Sequence, residues 1–241
     1  MPNHPLAEVF GFPTDNLTEE ADQHRRDRLC PFGNAVPNCT KTSLENPLGV
    51  CSVHGANGET VITCPVRFQQ SWRIASDAAG FFFPPGAAWT SLTEVRLKDS
   101  VGKSAGNIDI VLLSYDALGR IIDYGALEVQ AVYISGNVST PFQHERDDVR
   151  GILSGWGRKT AVAMDIASYN ALPPVAEADP ADADLAFFVY SLILDLVLNR
   201  YTLTLNKTVY AKQEARLPET EIEETTFLYG LKNRLDAAGP K

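Results

Sequence analysis

Between residues 107 and 132 the chain carries two apolar runs around a polar turn. Asn107 to Tyr115 is rich in Ile, Val and Leu, Asp116 to Arg120 is polar with Gly119 inside it, and Ile121 to Val132 is apolar again. Short β-branched runs flanking an Asp/Gly turn predict a hairpin. Elsewhere, the polar stretch 1–24 reads as loop, with a short helix near Thr18 to Arg28. Residues 65–83 carry Phe68, Trp72 and Ala75 at helical spacing, which predicts a helix running into Phe81, Phe82 and Phe83, with Gly80 as a candidate terminator. Ser91 to Asp99 fits either strand or helix. Thr140 to Leu153 reads as an amphipathic helix with basic residues, Lys159 to Tyr169 as a strand and Pro173 to Asp184 as an acidic loop. Leu185 to Leu198 begins as a strand, Tyr201 to Tyr210 alternates as a strand, and Phe227 to Leu235 reads as a closing helix.

Two acids interrupt the apolar texture of the hairpin: Asp109 in its first strand and Glu128 in its second, with Gln130 two residues on. A half-buried carboxylate is costly unless it is compensated. Residues two apart on a strand share a face, so Glu128 and Gln130 project together, and Asp109 meets them if it faces them from the paired strand. Magnesium is bound by a few carboxylates together with waters and substrate phosphates, and this pattern fits metal-assisted phosphodiester hydrolysis. The competing reading makes Asp109 a cap or turn residue and places Glu128 on a solvated face. Glu94 is a candidate additional acid, against the reading of an exposed charged face with Arg96 and Lys98.

All four cysteines, Cys30, Cys39, Cys51 and Cys64, fall within 35 residues, separated by eight, eleven and twelve others. Gly, Pro or Asn stands near each, as tight turns around a tetrahedral ion require. The spacing lacks the paired CxxC of a zinc ribbon, and four free or partly paired thiols are the alternative. A lone histidine is more often hydrogen-bonded than ligating, so His24, His54 and His144 are left unassigned.

With 241 residues and ordinary hydrophobic content, the chain is expected to form one large domain, or one domain with a small appendage. The expected division is an N-terminal segment, 1–70, holding the cysteines, and a core, 71–241, with an acidic C-terminal tail. A net charge of −9 argues against a uniformly basic nucleic-acid binder and leaves room for a local basic surface. No apolar run reaches membrane-spanning length and no signal pattern opens the chain, so the expected location is the cytoplasm, with no membrane partner.

Together, Cys30-Pro-Phe-Gly-Asn, Cys39-Thr-Lys, Gly49-Val-Cys-Ser-Val and Cys64-Pro-Val-Arg-Phe, followed by Gly106-Asn-Ile-Asp-Ile-Val and Gly125-Ala-Leu-Glu-Val-Gln, resemble the NotI-type restriction endonucleases. The resemblance runs from roughly residue 28 to 140, and as strand texture to about 212. It implies a PD-(D/E)XK nuclease fold, an α/β (α+β) mixed sheet flanked by helices, with a small N-terminal four-cysteine metal-binding module. It implies a type II site-specific deoxyribonuclease that cleaves double-stranded DNA with Mg2+, as a homodimer, alongside a cognate methyltransferase encoded nearby.

On this resemblance Asp109 and Glu128 are the Mg2+ carboxylates, with the Val129 carbonyl as a further ligand. Gln130 stands where much of the superfamily has lysine; glutamine there is a form this family itself carries. Glu94 and Lys103 are candidate additional participants, and Cys30, Cys39, Cys51 and Cys64 hold structural iron or zinc. The pair that names the superfamily is incomplete, because Ile108 precedes Asp109. The rival readings are a defence or repair nuclease of other specificity, and a metal-stabilised DNA-binding or interaction protein without catalysis.

Overall fold

A computed structural model of the chain describes residues 5–33, 36–43, 45–55, 58–98, 104–132, 159–212 and Asn233, with backbone alone at 97–98 and 104–106. It is a mixed α+β arrangement of two sheets with few helices. The smaller sheet has the order β2-β1-β3-β4, from β1 (Leu6–Val9), β2 (Phe12–Pro13), β3 (Val50–His54) and β4 (Thr60–Ile62). The larger runs β10-β9-β8-β7-β6-β5, from β5 (Trp89–Lys98), β6 (Ser104–Tyr115), β7 (Ile121–Gln130), β8 (Thr160–Asp165), β9 (Leu185–Asp195) and β10 (Arg200–Ala211). In the larger sheet β7, β8 and β9 run parallel, and both margins are antiparallel hairpins.

The expected hairpin is β6–β7. Asp116 closes its turn by accepting from the amides of Leu118 and Arg120, each at 2.9 Å, while Gly119 takes φ +73°. The ambiguous stretch after residue 89 is strand β5, paired along its length with β6. Helix α1 (Glu19–Asp27) begins at Thr18, whose hydroxyl accepts from the Ala21 amide, and carries its acids in the first turn. The helix expected over 65–83 is two pieces. A 3-10 segment (Pro65–Trp72) breaks at Ser71 and Trp72, both at positive φ, before α2 (Arg73–Phe82) begins. Gly80 does not end α2. The helix stops because Phe83, preceding Pro84, is forced into extended backbone. The strand expected over 159–169 ends at Asp165, whose carboxylate caps α3 (Ile166–Asn170) by accepting from the Ala167 amide at 2.7 Å. The helices expected at 140–153 and 227–235 lie outside the described residues, Asn233 excepted.

One face of the larger sheet packs on α2. Ile74, Ala75, Ala78, Ala79, Phe81 and Phe82 meet Ile110, Leu112, Leu127, Ala161, Ala163 and Phe188 in one apolar cluster. The approach is close: a Cβ on Gly125 would lie 2.6 Å from the Phe82 ring. The other face, with Val111, Leu113, Ala126, Val162, Met164 and Val189, is buried as well. The two sheets are tied by a fully buried ion pair. Arg67 Nε lies 3.0 Å from Glu8 Oε2 on β1, Nη1 donates to Gln70 Oε1 and Nη2 to the Tyr201 carbonyl on β10. Ser52 Oγ donates to the same Glu8 carboxylate, and the guanidinium lies over the Phe32 ring, so both charges are well compensated.

Candidate functional site

The β6–β7 ladder has its last rung at Ile110↔Leu127, where Asp109 and Glu128 would form the next pair. There the backbone pairing gives way to a side chain: the Val129 amide donates to Asp109 Oδ2 at 2.9 Å. Strand β7 meanwhile stays in register with β8 through Glu128↔Val162 and Gln130↔Met164. The two acids therefore stand where neighbouring strands part, on the sheet face opposite α2. By the two-residue repeat of β7, Gln130 shares that face with Glu128.

Glu128 Oε1 is buried without a hydrogen-bond partner. Burial pushes this carboxyl up to about 8, helped by the charge of Asp109, by a side-chain hydrogen bond to Asp109 and by the charge of Glu94. In metal-free protein the two carboxyl groups behave as a pair sharing a proton. A divalent cation would relieve the same repulsion, and the orphaned oxygen is a fitting ligand for it. Two carboxylates suffice for magnesium, which keeps waters and takes substrate phosphates.

Glu94 joins this pair. The register from Thr93↔Ile110 to Val95↔Ile108 sets it across from Asp109, at φ +52°. Its Oε2 accepts from Asn107 Nδ2 at 2.7 Å. Glu94 is exposed, as the charged-face reading held, yet it is close enough to act electrostatically on Glu128. Lys103 and His144 lie outside the described residues.

The four cysteines line one small cavity, together with Phe32, Lys41 and Val50 among others. None forms a disulfide. Two backbone hydrogen bonds hold the first two loops side by side, from the Cys30 amide to the Pro37 carbonyl and from the Cys39 amide to the Arg28 carbonyl, each 2.7 Å. Cys51 lies on β3 and Cys64 just after β4. Burial pushes the Cys51 thiol well up and raises that of Cys64, the latter opposed by Lys41. Lys41 Nζ donates to the Thr63 carbonyl at 2.6 Å; burial lowers its pKa, against the pull of Cys64, Cys51 and Cys39. The motif Cys39-Thr-Lys signalled this lysine in the sequence, without a role. Among the described residues, however, no group of three or more His, Cys, Asp or Glu side chains is arranged to hold a metal ion. His54 lies outside the cavity lining, and His24 packs on Phe12. Among the described residues no helix is long and apolar enough to cross a membrane.

A family model described as restriction endonuclease NotI matches residues 15–155. The match spans the four cysteines, Glu94, Asp109, Glu128 and Gln130, and covers more than half of the chain. No curated protein matches the chain.

Proposed function

The chain belongs to the NotI restriction endonuclease family, and from that premise we propose that it is a type II enzyme hydrolysing phosphodiester bonds of double-stranded DNA, sequence-specifically and with Mg2+. The observation that carries the reading is the half-buried Asp109–Glu128 pair, with the buried, unpartnered Glu128 oxygen at the parting of two strands. A PD-(D/E)XK core is supported by the order of elements: α2 on one face, the β6–β7 hairpin bearing the acids, then β8 parallel to β7.

Asp109 and Glu128 would hold the ion, with the Val129 carbonyl beside them and Glu94 as an additional acid. Bound Mg2+ supplies Lewis-acid polarisation of the scissile phosphate and eases deprotonation of the attacking water. Gln130, neutral at every working pH, orients that water by hydrogen bonding and takes no proton. Substrate DNA of two-fold symmetry suits a homodimer. A methyltransferase encoded nearby and a cytoplasmic location complete the expected restriction system.

The cysteine cavity is proposed as a structural iron or zinc site within an N-terminal module of residues 1–70, preceding a nuclease core of 71–241. Its support is the donor chemistry: four thiols, none in a disulfide, line one cavity, with the ammonium of Lys41 near them. Four thiolates would close a tetrahedral shell and leave no open position for catalysis.

The test is digestion of mixed plasmid and genomic DNA with Mg2+, followed by sequencing of the fragment ends, which yields activity, target and stagger together. Asp109→Ala and Glu128→Ala are expected to abolish cutting. Binding of DNA without any cutting by the wild type would favour the metal-stabilised binder instead. Normal cutting by both variants would move the site elsewhere.

A further inference from the structure

Glu94, Asp109 and Glu128 place carboxylates on three neighbouring strands, and Gln130 adds no charge. Hydrolysis of a phosphodiester adds to this negative burden. The water oxygen bonds to phosphorus and gives up a proton, the bond to the leaving oxygen breaks, and that oxygen takes a proton to become a hydroxyl. Charge on the non-bridging oxygens grows in between, and fixed donors aimed at such charge commonly supply a large part of rate enhancement.

Resting on the endonuclease reading, we propose that Arg96 is the phosphate-contacting cation of this site. Arg96 is the register partner of Asn107, so it lies on the sheet face that carries Asn107 and Asp109. The 2.7 Å bond from Asn107 Nδ2 to Glu94 Oε2 marks that same face by side-chain contact. One strand across and two residues along, the Cα of Arg96 is about 8 Å from that of Asp109. Its long side chain spans that interval.

Arg96 is exposed and, among the described residues, takes part in no ion pair or hydrogen bond, and the Glu94 oxygen on its own strand is engaged by Asn107. Several other described cations are committed. Arg67 is locked to Glu8, Lys159 donates to the Phe81 carbonyl, and Lys207 lies 3.9 Å over the Tyr169 ring on β10, three strands from β7. A guanidinium also presents a planar fork that matches two phosphate oxygens at once.

The experiment uses the full chain and a duplex oligonucleotide carrying a cut site mapped by end sequencing. Single-turnover cleavage is measured with Mg2+, and binding with Ca2+, for the wild type, Arg96→Ala and Arg96→Lys. Arg96→Ala is expected to slow cleavage by about 10²-fold, the scale for losing one donor to a developing oxyanion. Its affinity in Ca2+ should change by about fivefold or less, the range for one exposed ionic contact. Arg96→Lys, which keeps the charge and loses the fork, should recover part of the rate. Because Arg96 is exposed, both variants should unfold at the wild-type temperature. Wild-type cutting together with an undiminished Arg96→Ala overturns the role of Arg96 alone. A loss of affinity as large as the loss of rate overturns it too, since Arg96 would then hold ground-state DNA. Wild type that cuts no DNA overturns the endonuclease reading and this inference with it.

Discussion

In metal-free protein the Glu128 carboxyl keeps its proton to about pH 8, against an ordinary value of 4.5, because it is buried and faces Asp109. The unfolded chain releases that proton near the ordinary value. Between the two pH values the folded chain therefore holds more protons than the unfolded one, and stability falls as pH rises. The cost is absent below the ordinary value, grows through the window and is complete above the raised one. At about 1.4 kcal/mol per pKa unit, the full shift corresponds to a ceiling on the order of 5 kcal/mol. Sharing of the proton with Asp109 holds the loss assignable to this side chain below that ceiling. Glu128→Gln keeps the shape and removes the ionisation. Urea unfolding at pH 5 and pH 9, with chelator present, checks this through the denaturation midpoint at constant slope. Wild type and variant should be close at pH 5, and the variant should be the more stable by several kcal/mol at pH 9. Adding Mg2+ at pH 9 should raise the wild-type midpoint and leave the variant nearly unchanged, while the variant fails to cut DNA. A difference between the two proteins that is the same at both pH values would refute the reasoning.

Arg67→Ala leaves Glu8 buried and unpaired, and is expected to cost about 3–5 kcal/mol by urea unfolding, more than any exposed arginine of the chain. Gly125→Val drives a side chain into the Phe82 ring, and should cost at least about 1–3 kcal/mol in the same assay. Elemental analysis should find about one iron or zinc per chain, the loading of a closed four-thiolate site. Cys51→Ser should lower that loading and the melting temperature together, and a metal-free wild type with two disulfides would refute the site.

The elements that local chemistry dictates were readable in the sequence. The apolar runs around Asp116–Arg120 announced the β6–β7 hairpin, and the stretch near Thr18 to Arg28 read as the short helix that is α1. Asp109 and Glu128 stood out because each interrupts an apolar strand. What depended on register was not readable. Nothing in Ser91–Asp99 says that Glu94 falls across from Asp109, because that follows from the register of pairing with β6. The break at Ser71 and Trp72 was hidden by continuous helical spacing of apolar residues on both sides. Asp165 looked like the middle of a strand, yet its carboxylate serves two amides, Ala167 on one side and Ile62 of the smaller sheet on the other. Arg67 stood in the sequence only as part of Cys64-Pro-Val-Arg-Phe, and only the three-dimensional approach of β1 and β10 makes it a buried partner of Glu8. The clustering of the cysteines foretold their common cavity, since a short segment with tight turns has little choice but to bring them near one another.

Asp109 also governs direction. With Oδ2 held by the Val129 amide, the carboxylate is fixed in place beside Glu128. On the proposed Mg2+ role, a cation arriving there would meet a side chain already positioned, so the entropy of fixing it is lost during folding and not at binding. Asparagine at this position could keep the strand peg through its carbonyl oxygen while presenting an amide where the ligand oxygen had been, thereby separating the architecture of the site from its chemistry.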